Sequence, residues 1–210
     1  MNKSSWCLML ILSIGVAAYA LVAYGTKPLG VSVHPALKIV FEQHPVGIYV
    51  HVFASLIALV LGPFQFSSNL RAKHIHLHRW TGRTYLLLGV LLGGIAGLYM
   101  AQFAFGGMVS EVGFTAMALL WLFTGSMAFH AIRHKDIAAH RRWMVRNFAL
   151  TFAAVTLRIY LGLFFASGVA FEEFYPLLAW LSWVPNILLA EWIFNTHNTD
   201  TATEVKRSHR

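Results

Sequence analysis

Charged residues are scarce in this sequence of 210 residues. Asp, Glu, Lys and Arg together make up 11% of it, whereas 58% of the residues are hydrophobic. A soluble domain carries about 25% charged residues, so the composition excludes an ordinary soluble protein. The hydrophobic residues fall into blocks of roughly twenty, which is the length that a helix needs to cross a bilayer. The sequence therefore predicts an integral membrane protein that is surrounded by lipid.

Acidic residues and cysteine are scarcer still. The chain has 8 Asp and Glu residues and one cysteine, Cys7, which excludes an intrachain disulfide. The formal net charge is +8, but the basic residues lie in short loops between the hydrophobic blocks, so nucleic-acid binding is not indicated. A phosphate-binding loop and a dinucleotide fingerprint are also absent. The sequence therefore indicates no hydrolase and leaves enzyme activity undecided.

Six hydrophobic blocks predict six membrane-spanning helices in one all-α domain over residues 1–195. The predicted spans are residues 6–24, 46–66, 80–105, 112–132, 143–166 and 175–194. A polar loop with three prolines follows the first span, and a polar tail occupies residues 196–210. Glycines in the third span predict close helix contacts, and Pro185 predicts a kink in the sixth. Ala18-Tyr19-Ala20 resembles a signal-peptidase site, so cleavage of the first block is an alternative.

Basic residues gather in the loops after the second and fourth spans and in the tail. They are Arg71, Lys73, Arg79, Arg83, Arg133, Lys135, Arg141, Arg142, Arg146, Lys206, Arg207 and Arg210. The loops on the other side contain only Lys27 and Lys38. Because cytoplasmic loops carry an excess of Lys and Arg, this distribution predicts that both termini lie in the cytoplasm.

A short motif occurs twice, each time at the start of a hydrophobic block. The first copy is His78-Arg79-Trp80-Thr81-Gly82-Arg83, and the second is His140-Arg141-Arg142-Trp143-Met144-Val145-Arg146. Upstream, Leu59, Gly62, Phe66 and Arg71 align with Leu122, Gly125, Phe129 and Arg133. The repeat predicts a duplicated helical hairpin, formed by spans two and three and by spans four and five. A pseudo-two-fold axis along the membrane normal would relate the two hairpins.

His78 and His140 occupy equivalent positions in this repeat, so the pseudo-two-fold axis would let them face each other. Two imidazoles projected inward from facing helices are the ligands of a bis-histidine haem b. We therefore interpret them as candidate haem-iron ligands, with His130 as an alternative ligand. Guanidinium groups match the geometry of haem propionates. The candidate partners of the propionates are therefore Arg79, Arg83, Arg141 and Arg146. The alternative is that the motif only anchors helix ends at the membrane interface.

A second candidate site lies near the other membrane face. His51 and Arg158 fall inside the second and fifth spans, where a charged residue is expensive and marks a functional hypothesis. They would form a further haem edge or a quinone head-group site. The repeat position equivalent to His51 is Phe114, so a second symmetric histidine pair is not expected. Alternatively, Arg158 pairs with Glu172 or Glu173. Glu191, near the end of the sixth span, is expected to pair with Arg83 or Arg146.

Several motifs resemble those of a known family. They are Leu61-Gly62-Pro63-Phe64-Gln65-Phe66, His78 to Tyr85, His140 to Met144, Thr156-Leu157-Arg158, and Trp183-Val184-Pro185-Asn186 with Glu191. Over residues 45–195 the chain resembles bacterial predicted membrane proteins of the domain-of-unknown-function family numbered 2306. The resemblance implies a multi-pass protein of the bacterial inner membrane, but no particular activity. More distantly, the layout is similar to that of the cytochrome b561 type, which has six helices and two histidine pairs.

Three functions remain open on the sequence. The first is a haem b protein that exchanges electrons with a membrane quinol or another redox partner. The second is a transporter or small-molecule-binding protein with a cavity at the repeat interface. The third is a structural membrane subunit without a cofactor. The sequence does not determine the oligomeric state.

Overall fold

The fold is known from a computed structural model, which describes residues 3–194. It is all-helical over those residues. The helices are α1 (Lys3–Gly25), α2 (Pro35–Gln43), α3 (Pro45–Gln65), α4 (Ser68–Lys73), α5 (Ile75–Thr84), a π-helical segment (Tyr85–Leu91), α6 (Leu92–Ala101), α7 (Met108–Arg133), α8 (Ile137–Thr151), α9 (Ala153–Ser167), α10 (Phe171–Leu181) and α11 (184–194). The tail predicted at residues 196–210 lies outside the described residues.

Six helical stretches are long and apolar enough to cross a membrane, as the sequence predicts. They are Lys3–Gly25, Pro45–Gln65, Ile75–Ala101, Met108–Arg133, Ile137–Ser167 and Phe171–Phe194. The third and fifth begin earlier than the hydrophobic blocks do, so both histidine motifs lie inside the first turns of helices. For α8 the cause is a cap, because the side chain of Asp136 accepts a hydrogen bond from Ala139 N at 2.8 Å. Hydropathy alone does not detect such polar first turns.

The loop between the first two spans contains a helix that the sequence analysis did not predict. Pro35 begins α2, and the fixed φ of proline suits the first helical position. The imidazole of His34 caps this helix by accepting a hydrogen bond from Ala36 N at 3.3 Å. Two of the three prolines in this loop therefore begin helices, since Pro45 begins α3 in the same way.

Three spans are irregular. The π-helical segment separates α5 from α6, and π-turns inside helices are frequent at functional sites. Thr151 is the last residue of α8, and its hydroxyl donates a hydrogen bond to the carbonyl of Asn147 at 3.0 Å. Such a side-chain bond often bends a helix. In the sixth span, α10 ends at Leu181 and the helix resumes at residue 184. Pro185 thus stands in the first turn after an interruption.

The two predicted hairpins contact each other through residues at equivalent positions of the repeat. Tyr85 and Asn147, each seven residues after its motif histidine, meet at the centre of the bundle, where the phenol donates to the amide oxygen at 2.6 Å. The aligned glycines also exchange contacts between hairpins. A Cβ added at Gly62 would overlap Phe148, and one added at Gly125 would lie 2.9 Å from Val90. Small residues let the helices approach closely here.

Antiparallel spans place both ends of the described chain at one end of the bundle. Trp6 in α1 donates to the carbonyl of Pro63 at 2.9 Å, near the end of α3. We call the end that carries α4 and the first turns of α5 and α8 the basic end, and the other end the opposite end. That the basic end faces the cytoplasm stays a prediction.

Candidate functional site

A cavity of about 260 Å³ occupies the opposite half of the bundle. It lies between α1, α3, α6, α7, α9 and α10 and is lined mainly by apolar side chains. Small residues leave the space open, because α6 contributes Gly93, Gly94 and Gly97 to the wall, and α9 contributes Ala153 and Ala154. The glycine-rich third span therefore has two roles: close helix contact and a wide cavity.

His51 lines this cavity from α3. Its Nδ1 lies 2.9 Å from the carbonyl oxygen of Gly93. A carbonyl only accepts hydrogen bonds, so Nδ1 carries the proton, and in the neutral ring Nε2 keeps a lone pair. Gly97 makes room for the ring, since an added Cβ would lie 2.8 Å from Nδ1. The structure thus fixes the imidazole and leaves one nitrogen available as an acceptor.

Arg158 lines the same cavity from α9. Its Nη1 donates to the carbonyl of Ala154 at 2.7 Å, and its Cζ lies 5.7 Å from the centre of the Tyr19 ring. The ion pairs within residues 3–194 are Lys38–Glu42 and Arg146–Glu191. The alternative pairing of Arg158 with Glu172 or Glu173 is therefore not formed, and this cation has no carboxylate partner in the described part of the chain.

Further polar groups face the cavity. Ser55 and Ser182 line it, and each has a buried hydroxyl with no hydrogen-bond partner in the structure. Ser182 is fully buried. Tyr24 and Tyr175 contribute to the lining as well. An apolar space with a few converging polar groups is typical of a small-molecule site.

α2 covers the mouth of the cavity at the opposite end. Its Leu37, Val40 and Phe41 contribute to the lining. The histidines that flank this helix stack on aromatic rings, His34 on Phe171 of α10 and His44 on Phe103 just after α6, each with ring centroids 3.8 Å apart. These stacks hold both ends of α2 against the bundle.

The motif histidines lie at the basic end, outside this cavity. His140 Nδ1 lies 2.8 Å from the carbonyl oxygen of Ala128, which leaves its Nε2 free. His78 Nδ1 is buried and has no hydrogen-bond partner. Both motif histidines therefore lie in the first turns of their helices, at the same end of the bundle.

The arginines of the two motifs differ in their surroundings. Arg79, Arg83 and Arg141 are exposed. Arg146 forms a bidentate pair with Glu191, with Nη2 to Oε2 at 2.7 Å, and its Cζ lies 4.8 Å from the Trp143 ring centre. The predicted pairing of Glu191 is confirmed, and it occupies the guanidinium of Arg146.

Arg71 lies between the motifs at the basic end, on α4. Its Nη1 donates to the carbonyl of Gln65 at 3.0 Å. Partial burial lowers the pKa of Arg71, and the nearby charge of Arg141 lowers it further. This end of the bundle is therefore strongly positive.

His130, the alternative ligand, lies near the end of α7. It is exposed on α7, and its ring stacks on that of His134 with centroids 4.1 Å apart. Residues 3–194 contain no cluster of three or more His, Cys, Asp or Glu side chains that would hold a metal ion. A bis-histidine haem needs only two protein ligands.

A buried polar network separates the cavity from the motif histidines, and the sequence analysis did not single it out. The hydroxyl of Tyr85 contacts Asn147 at 2.6 Å and Thr151 at 2.8 Å. Trp121 donates its indole N–H to Thr151 at 2.9 Å, and the amide of Asn147 donates to Thr124 at 2.9 Å. The spacing of seven residues after each motif histidine was the available signal, since such residues share a helix face.

A family model described as "Predicted membrane protein (DUF2306)" matches residues 48–194. The chain belongs to this family. The match covers more than half of the chain and includes both hairpins, the two motif histidines, His51 and Arg158. No curated protein and no solved structure matches the chain. The family description states no activity, so function has to be argued from the site itself.

Proposed function

We propose that this protein binds a small amphipathic molecule inside the membrane, in the cavity of the opposite half, as a binding protein or transporter. The observation that carries the proposal is the joint presence of Arg158 and His51 in the wall of one largely apolar cavity. The cavity volume is about 260 Å³, close to the lower end of the roughly 300–1,000 Å³ range of small-molecule sites.

A charge inside a helical bundle supports this proposal more strongly than the volume does. Arginine within a membrane span is expensive unless it is paired or lines a functional cavity. Arg158 has one carbonyl partner and a tyrosine ring, and it faces the cavity. The fold therefore retains an expensive group at a place where a ligand can reach it.

A cysteine reporter in the cavity tests the proposal. Cys7 is the only cysteine, so the Cys7→Ser background allows one new thiol to be placed. Ala118→Cys lines the cavity from α7, whereas the matched control Ala128→Cys on the same helix is fully buried and does not line it. In lipid nanodiscs, we expect methyl methanethiosulfonate to label the thiol at position 118 and to leave that at 128 unlabelled.

Occupancy of the cavity then appears as protection. We expect an amphipathic probe, either decanoate or decanol, to slow labelling at position 118, as measured by intact-protein mass spectrometry. An unlabelled thiol at 118, or labelling that neither probe slows, would contradict the proposed function.

A second candidate function is haem b binding by His78 and His140, with electron exchange with a membrane quinol. Two observations favour it. The two motif histidines lie in the first turns of α5 and α8, at the same end of the bundle. The carbonyl of Ala128 holds His140 in the tautomer that presents Nε2, which is how a ligating histidine is normally oriented. When bound, the haem would supply one-electron chemistry, and Arg79, Arg83 and Arg141 are exposed nearby to pair with propionates.

An absorbance spectrum tests this second candidate. Protein produced with ample haem is expected to show a Soret band, and His78→Ala and His140→Ala are each expected to abolish it. His130→Ala tests the alternative ligand, and because His130 is exposed we expect this variant to keep the Soret band. A flat visible spectrum of the wild-type protein would exclude the candidate.

A further inference from the structure

We propose that the ligand of the cavity is an amphipathic acid whose anionic group pairs with Arg158. This inference rests on the proposed binding function and adds the chemical class of the ligand. It follows from the charge balance of the cavity wall, from the free donors of the guanidinium, and from the size of the space.

The cavity wall carries a positive charge without an anion. Arg158 is its only Lys or Arg, and neither Asp nor Glu is among the described residues that line it. The other titratable groups in the lining are His51, Tyr24 and Tyr175. A buried charge is normally paired, and within residues 3–194 no side chain supplies the counter-charge to Arg158. An anionic ligand would supply it.

The donors of Arg158 suit a planar anion. A guanidinium has five N–H groups in a fixed fork, and the hydrogen bond recorded for Arg158 goes from Nη1 to Ala154. The remaining donors match the two oxygens of a carboxylate, which arginine binds in a bidentate manner. A neutral quinone would accept hydrogen bonds from the same donors, but it would leave the charge uncompensated.

The other polar groups extend the same site. His51 and Arg158 line the same cavity, so one ligand can contact both. The Nε2 of His51 is an acceptor, which suits a hydroxyl or a water molecule next to the acid. The unpartnered hydroxyls of Ser55 and Ser182 provide two further donors.

The rest of the cavity selects for an apolar body of modest size. Leu56, Leu59, Phe114, Met117 and Leu157 contribute to its wall. A volume of about 260 Å³ suits a single chain or ring rather than a lipid with two acyl chains. We therefore expect free carboxylic acids with one apolar chain to bind, and anionic phospholipids to be excluded.

The reporter at position 118 separates the chemical classes. Decanoate, decanol and decyltrimethylammonium share one chain and differ in the charge of the head group. In nanodiscs of neutral lipid, we expect decanoate to protect the thiol at a concentration about tenfold lower than decanol, because hydrogen bonds to a charged group are stronger than neutral ones. Decyltrimethylammonium is expected to protect least. Nanodiscs with added phosphatidylglycerol are expected to leave labelling unchanged.

Variants at position 158 test the role of the guanidinium. Arg158→Gln is expected to remove the advantage of decanoate over decanol. Arg158→Lys is expected to keep part of the advantage of decanoate, because lysine is a cation without the bidentate fork. Arg133→Gln, a change at an exposed arginine of the basic end, is the control. If gel filtration shows that Arg158→Gln does not fold, the test rests on Arg158→Lys and on the ratio of the protecting concentrations of decanoate and decanol in the parent protein.

The outcomes distinguish this inference from the proposed function on which it rests. Equal protection by decanol and decanoate, or strongest protection by the cationic probe, would overturn the acid as ligand while the cavity still binds amphiphiles. Protection by phosphatidylglycerol would assign the anion to a lipid and overturn the free acid. Protection by none of the probes would remove the proposed function and this inference together.

Discussion

The half of the bundle near the basic end is tightly packed, whereas the opposite half is hollow, although the same two hairpins build both. In the packed half, Gly62 and Gly125 let each hairpin reach the other around the pair of Tyr85 and Asn147. In the hollow half, the repeat loses its symmetry, because His51 has Phe114 at the equivalent position and both line the cavity. In this protein, the two hairpins pack closely where equivalent residues of the repeat meet, and the cavity lies where the equivalent residues differ.

The largest effect in this comparison is expected from Asn147→Ala in the packed half. Asn147 is fully buried and bonds to Tyr85, Thr124 and the carbonyl of Trp121. We expect a loss of about 3 kcal/mol in the free energy of unfolding, from lost hydrogen bonds and a new cavity. Denaturation by sodium dodecyl sulfate in mixed micelles measures this loss.

Tyr85→Phe is the milder companion of that variant. It keeps the ring and removes only the hydroxyl, with its contacts to Asn147 and Thr151. Because interhelical hydrogen bonds in membranes contribute about 0.6 kcal/mol each, we expect a loss of about 1 kcal/mol. No measurable loss in Tyr85→Phe would mean that the hydrogen bonds of this hydroxyl are not a source of the stability.

A single added methyl group in the packed half is also expected to lower the free energy of unfolding. Gly62→Ala places a Cβ where it overlaps Phe148, which is itself buried in the core. Overpacking of this kind destabilises by about 1–3 kcal/mol. The matched control is Gly162→Ala in α9, where an added Cβ meets nothing within 4 Å. We expect the control to be neutral or slightly stabilising in the same assay, and equal effects at the two positions would contradict the tight packing.

The smallest effect on stability is expected in the hollow half. Ala154→Leu adds volume to the cavity wall, and filling a cavity commonly stabilises by about 0.5–2 kcal/mol. The same change is expected to abolish the protection of the reporter at position 118, because it occupies the ligand's space. A strong loss of stability would show that this half is as tightly packed as the other.

The sequence predicted some contacts well because they depend on spacing along helices. The position of Glu191 near the end of the sixth span predicted a pair with Arg83 or Arg146, and the structure shows the pair with Arg146. The approach of the third span to its neighbours also follows from its glycines. What His51, Arg158, His78 and His140 bind stays a prediction.

Other features could not be predicted because their cause lies in contacts between distant residues. α2 forms where the composition indicated a polar loop, since capping by His34 and stacking of His34 and His44 on rings of other spans hold it. Asn147 was not singled out, because a lone polar residue gives no sign of its partners. That Arg158 has no carboxylate partner within residues 3–194 could not be predicted either, because it depends on where the helices place each Asp and Glu.

The sequence by itself determined the class of protein and the six spans, and it predicted the duplicated hairpin. Hydropathy over about twenty residues and a repeated spacing are local properties, so they need no knowledge of the fold. Only the tertiary structure decided that the two hairpins pack at one end and part at the other. Whether a side chain lies against a neighbour or faces an empty space depends on residues from several helices at once, and for Arg158 it is this arrangement that leaves a charge facing a cavity.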